Sequence, residues 1–163
     1  MREIYWGQSK IKQAVGGHLG ELVHKEGEIF YKITNYHEMP PFFVTLVSGS
    51  DHWMFLSSSG GLTCGRRSPE HALFPYYTDD KIHDAHSTTG SQTAVLVEKD
   101  SKTFLWKPFA REDAVYAVER NLYKNQPGNI LIFEEINHDL KLVFSHTWSS
   151  SERFGFVKKS RIE

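Results

Sequence analysis

Along most of the chain apolar and polar residues alternate in short runs rich in β-branched and aromatic side chains, broken by Gly, Asn, Asp, Ser or Pro. A period of two marks half-buried strands. The pattern predicts strands at Glu28 to Thr34, Phe43 to Ser48, Trp53 to Ser57, Leu62 to Gly65, Thr93 to Glu98, Thr103 to Trp106, Val115 to Tyr123, Ile130 to Asn137, Leu140 to Trp148 and Phe154 to Ile162. The segments Gly49-Ser50-Asp51, Lys99-Asp100-Ser101, Gln126-Pro127-Gly128-Asn129 and Asn137-His138-Asp139 carry turn chemistry between such runs, so neighbours are expected to pair antiparallel. In Leu140 to Trp148, parity puts Leu140, Leu142, Phe144, His146 and Trp148 on one face and Lys141, Val143, Ser145 and Thr147 on the other, one face core and the other partly wet. No segment has the sustained 3.6-residue period of a long helix, although Arg111 to Ala114 suits a single turn. Parallel βαβ architectures are excluded on that ground.

Ser68 to Ser91 breaks the regularity. Irregular segments beyond about 12–15 residues are usually functional or disordered, and the centre of this one, Ala72-Leu73-Phe74-Pro75-Tyr76-Tyr77, is too aromatic for disorder. It is expected to be ordered against the domain's own sheet or against a partner. At the other end, Phe154 to Glu163 alternates without a closing turn and reads as a strand whose continuation is missing.

Length fits one domain spanning residues 1–163. With 39% hydrophobic residues the composition is that of an ordinary soluble chain. Lys plus Arg number 19 and Asp plus Glu 20, giving a formal charge of −1 and no basic block to neutralise phosphates, so nucleic acid is not an expected partner. No apolar run reaches the roughly 18 residues of a membrane span, and Met1 to Gly7 lacks the apolar core of a signal peptide. The one cysteine, Cys64, rules out an intramolecular disulfide and any zinc site with two thiolates. A cytoplasmic location is expected.

Asp79, Asp80, His83, Asp84 and His86 offer oxygen and imidazole ligands, and on a helix Asp79, His83 and His86 would share a face. Their spacing matches no metal motif, and such residues commonly cap turns, so no metal is expected. Cys64 lies near Arg66 and Arg67, which would favour a thiolate, but no thiol-enzyme signature surrounds it and it reads as a small apolar strand residue. Ser57 to Gly61 lacks the G-x-S-x-G spacing of a hydrolase elbow, and Gly16 to Gly20 lacks that of a dinucleotide loop, so no cofactor is expected. Glu134 and Glu135 are adjacent on a strand and face opposite sides, which bars them from acting together as a glycosidase pair. The 4 Trp, 7 Tyr and 11 Phe are first of all packing residues. Trp53, Tyr76, Tyr77 and Trp148 are candidates to stack on sugars wherever they reach the surface.

The stretch from Trp53 through Arg66-Arg67-Ser68-Pro69 to Ala72-Leu73-Phe74-Pro75-Tyr76-Tyr77-Thr78-Asp79-Asp80 resembles the amino-terminal region of cellobiose-phosphorylase-type carbohydrate-active proteins. The order of later strands, from Thr103 to Glu163, is also similar. The resemblance implies an all-β antiparallel β-sandwich of the supersandwich kind, related to galactose-mutarotase-like folds, and a chain that is the amino-terminal piece of a glycoside phosphorylase or hydrolase-like enzyme. The family's catalytic residues lie in a separate helical barrel, so no catalytic residue is carried over. The sandwich domain there packs on the barrel and can contribute to dimerisation. Arg66, Arg67, Phe74, Tyr76, Tyr77, Asp79 and Asp80 are accordingly the residues expected to contact substrate or that C-terminal catalytic domain. A stand-alone carbohydrate-binding module and a mutarotase-like sugar epimerase are the alternatives.

Overall fold

The computed structural model describes residues 4–6, 9–11, 19–110 and 115–163, with side chains described from residue 19 onward except that of Asp79. The turn expected at Arg111 to Ala114 and most of the Gly16 to Gly20 motif lie outside these residues. In chain order the elements are β1 (Ile4–Trp6), β2 (Ser9–Ile11), β3 (Leu19–Lys25), β4 (Glu28–Thr34), β5 (Phe43–Leu46), β6 (His52–Ser57), β7 (Leu62–Arg66), helix α1 (Asp79–Asp84), β8 (Val95–Lys99), β9 (Lys102–Trp106), β10 (Val118–Asn125), β11 (Ile130–Asn137), β12 (Leu142–Ser151) and β13 (Gly155–Ile162).

The protein is mostly β, and its strand pairs are antiparallel. The main sheet has six strands in the order β13-β12-β11-β10-β4-β3; β5-β6-β7 form a second sheet, and β1-β2 and β8-β9 are two-stranded ribbons. The strand β3 has little alternation of its own, with Leu19 and Leu22 exposed. It is held by pairing with β4 through a two-residue turn at Glu26-Gly27, whose φ values of 52° and 86° are the positive pair that a tight hairpin turn needs.

Register decides what each face of the main sheet carries. Across β10, β11, β12 and β13, Arg120 stands opposite Glu135, Glu135 opposite Phe144 and Phe144 opposite Ile162; one step along, Leu122, Phe133, His146 and Ser160 form the next row, followed by Lys124, Leu131, Trp148 and Lys158. This face is covered by two different layers. Leu122, Leu131 and Phe133 pack with Val44, Leu46, Met54, Leu56, Leu62 and Cys64 of the three-stranded sheet. Phe144 packs instead with Trp106 and Leu140, against which Val95, Val97 and Phe104 of the β8–β9 ribbon are laid. Phe109 touches both clusters and marks where the two covers meet. The opposite face carries a smaller cluster of Phe30, Tyr123 and Ile132.

The segment from Ser68 to Ser91 lies on this domain's own three-stranded sheet. The Thr63 hydroxyl donates to the Pro75 carbonyl at 3.0 Å, the Leu73 amide donates to the Cys64 carbonyl at 2.8 Å, and Gly65 bridges Ala72. Its second half folds into α1, which the period-two reading leaves out. Asp79 and Asp80 open the helix where the dipole favours acids, and Lys81 and His83 close it. A fully buried Ile82 anchors it. The approach is close enough that a Cβ at Gly61 would collide with the Ile82 carbonyl, and one at Gly90 would lie 2.5 Å from the carbonyls of Gly60 and His86. Only glycine fits at both places.

Candidate functional site: a cleft where the two covers meet

Where the three-stranded sheet and the β8–β9 ribbon meet, a cleft of about 430 Å³ opens onto the main sheet, within the range of small-molecule sites. Its floor is Arg120, Phe133, His146 and Trp148, contributed by β10, β11 and β12. One wall is the β6–β7 turn at Ser58, Ser59 and Gly60, and a second is His86 with the Ser91 to Thr93 segment. Lys107 to Ala110, which follow β9, form a third.

The floor is fixed by a carboxylate placed behind it. Glu135 is 1% exposed, and such a charge persists in an interior only when its oxygens are satisfied. The Trp106 indole N–H donates to its Oε1 at 2.7 Å. The Phe109 amide and the Arg120 Nε donate to its Oε2 at 2.6 and 2.8 Å. Arg120 also donates through Nη2 to the Ala110 carbonyl at 2.8 Å. Glu135 therefore ties together the ribbon (Trp106), the cleft wall (Phe109) and the floor (Arg120). It also holds Phe109 at φ 64°, a left-handed conformation that costs about 1–3 kcal/mol in a bulky residue. Edge-on contacts of the Phe109 ring with Phe133, Phe144 and His146 help to keep it there.

His146 is 7% exposed and stacks on Phe133 at 5.0 Å between ring centroids. Burial, reinforced by the nearby Lys158 charge, lowers its pKa to about 3, so it is a neutral imidazole at ordinary pH. His37, at the rim, is held below the usual histidine range by burial and then by the Arg120 charge. On the wall, the buried Nδ1 of His86 has no hydrogen-bond partner among the described residues.

The residues singled out in the sequence are elsewhere. Arg66 and Arg67 both grip Asp51, at 2.9 and 3.1 Å, and their guanidinium groups hold its carboxyl below the usual carboxylate range. Phe74 and Tyr76 are exposed beside Leu73, and Tyr77 is half-buried. Tyr76 meets the ring of Trp53 edge-on at 5.5 Å. Asp80 is exposed on α1, and Asp79 begins that helix. None of the described side chains among them lines the cleft. Of the aromatic candidates, Trp148 alone among the described residues does.

His83 and His86, expected to share a helix face, diverge: His83 Nδ1 lies 2.6 Å from the buried Ser57 hydroxyl, whereas His86 falls in the turn after α1 and faces the cleft. Among the described residues no three His, Cys, Asp or Glu are grouped to hold a metal. Cys64 is buried, and burial pushes its thiol up to about 11, which suits a packing residue. Glu134 serves the opposite face from Glu135, as strand parity requires: it accepts from Tyr123 and Asn121 at 2.7 and 3.0 Å. Among the described residues no helix is long and apolar enough to cross a membrane.

The residues that build the cleft carried one usable signal in the sequence. Parity puts Glu135 on the face of Leu131 and Phe133, and Arg120 on that of Leu122. An acid and a base at inward positions need partners. The partnership of Trp106 and Phe109 with Glu135 had no such signal, because it depends on how a separate ribbon docks.

In comparisons with known proteins, no family model matches the chain and no curated protein is significantly similar to it.

Proposed function

We propose that the protein is a non-catalytic β-sandwich domain of a carbohydrate-active protein, and that the cleft on its main sheet is a saccharide subsite. The observation that carries this reading is the character of the cleft. Trp148 lines the cleft together with Ser58, Ser59, Gln92 and Thr93, whose side chains carry neutral hydroxyl and amide groups. A sugar ring has the complementary surface, an apolar C–H face for the indole and hydroxyls for the polar wall. Acid–base hydrolysis across a glycosidic bond needs two available carboxyl groups. The described lining offers none, and Glu135, just behind it, has its oxygens committed to three donors.

The experiment is calorimetric titration with glucose, galactose, cellobiose and maltose, paired with a turnover assay on the same sugars. Saturable heat without product is expected, and Trp148→Ala should weaken binding about tenfold while the fold is retained. Absence of saturable heat with these sugars and with their acidic counterparts overturns the subsite, and product formation overturns the non-catalytic reading.

A second observation favours the packing role expected from the family resemblance. Leu73 is 71% exposed, and Phe74 and Tyr76 are exposed beside it. These exposed apolar side chains lie on the segment expected to contact a C-terminal catalytic domain. Co-expression with the continuation of the reading frame should protect residues 73–77 from hydrogen exchange. Unchanged protection in the presence of a folded downstream domain removes this role.

A further inference from the structure

Arg120 is held on the cleft floor with part of its guanidinium uncommitted among the described residues. A guanidinium has five N–H donors in a rigid fork. In Arg120 one goes to Glu135 and one to the Ala110 carbonyl. The other donors find no acceptor among the described residues, and the side chain, 14% exposed, lies on the cleft floor. Its orientation is not left to solvent. The carboxylate that fixes its Nε is itself locked by Trp106 and Phe109. A ligand meeting this fork therefore has little side-chain ordering to offset.

The rest of the described lining agrees in sign. Lys107 is the other Lys or Arg on it, and no Asp or Glu is among the described lining residues. We propose that the ligand of this cleft is an acidic saccharide, a sugar bearing a carboxylate or a phosphoryl group, and that Arg120 receives the anionic group. The inference deepens the saccharide reading above and rests on it. Fork geometry suits a planar carboxylate and a phosphoryl group alike, so the two sources are separated by experiment.

The test is titration of the intact chain with glucose, glucuronate, glucose 6-phosphate and inorganic phosphate, read by calorimetry and by the side-chain Nε–H and Nη–H resonances of Arg120. Glucuronate or glucose 6-phosphate should bind about tenfold or more tightly than glucose, and whichever does so identifies the anionic group. The Arg120 resonances should move with the acidic sugar and stay still with glucose. The double variant Arg120→Gln with Glu135→Gln removes both charges together, and it should abolish the preference for the acidic sugar over glucose. Should that variant not fold, the Arg120 resonances of the unmodified protein decide alone.

Equal affinity for glucose and both acidic sugars, or still Arg120 signals with a bound acidic sugar, overturns the inference and leaves the saccharide subsite standing. Inorganic phosphate binding as tightly as glucose 6-phosphate overturns the saccharide half of it. No binding by any sugar overturns the subsite and the inference with it.

Discussion

Replacing Glu135 with Gln perturbs the junction at its centre. The two oxygens of Glu135 take three donors: Trp106 Nε1 on one, Phe109 N and Arg120 Nε on the other. A glutamine keeps a single acceptor oxygen, so whichever way its amide turns, an NH₂ faces a buried donor. Breaking one side of a buried ion pair costs about 3–5 kcal/mol, because the remaining charge is left without compensation. Arg120, at 14% exposure, has little water to turn to. Against a total stability of about 5–15 kcal/mol this is a large fraction. With a urea m-value of about 2 kcal/mol/M, the unfolding midpoint should fall by about 2 M at unchanged m. The companion variants are Arg120→Gln and the double substitution. Two neutral amides can still hydrogen-bond to each other, so the double should lose less than the singles summed, with a coupling of about 1–3 kcal/mol. A midpoint shift in Glu135→Gln worth less than about 1 kcal/mol, or additivity of the singles, would refute the reasoning that this carboxylate locks the junction.

Other expectations follow from the same packing. Histidine in an unfolded chain titrates near 6.5 and His146 in the fold near 3, so the unfolded state binds the extra proton between those values. The contribution of this residue is fully present above about pH 6.5 and is lost as pH falls toward 3, by up to about 1.4 kcal/mol per pH unit. His146→Phe should flatten that part of the stability profile measured by urea unfolding from pH 7 to 4, and a profile identical to that of the parent rejects the assignment. Gly61→Ala and Gly90→Ala should each cost about 1–3 kcal/mol by pushing α1 and its following turn off the β6–β7 turn, and a melting temperature unchanged in both contradicts the close approach. Cys64 should resist a thiol reagent at pH 8 in the native state and react on denaturation, whereas rapid native labelling would show a thiol that is not buried.

Much of the sheet architecture is legible in the chain because it obeys local rules. The run Ile130 to Asn137 is a strand with the predicted bounds, and parity correctly puts His146 and Trp148 on one face and Glu134 and Glu135 on opposite sides. The edge strand β3 escaped because it has no clean alternation and is stabilised by its neighbour. Helix α1 escaped because six residues anchored by one buried isoleucine have no period to read. The site itself was largely illegible. Arg66, Arg67, Phe74, Tyr76, Tyr77 and Asp80 stand out by composition, and none of them lines the cleft. The cleft instead depends on contacts such as Trp106 to Glu135, whose partners are 29 residues apart and brought together by docking of a ribbon. Such contacts are tertiary, and no window of sequence contains them.

The central claim is that the cleft where the two covers meet is the ligand site. It is tested most directly by mapping backbone and side-chain resonance shifts during titration with a binding saccharide. Shifts concentrated at residues 58–60, 86–93, 107–110, 120, 146 and 148 are the predicted result. Shifts confined to residues 66–80, which do not line the cleft, would contradict it.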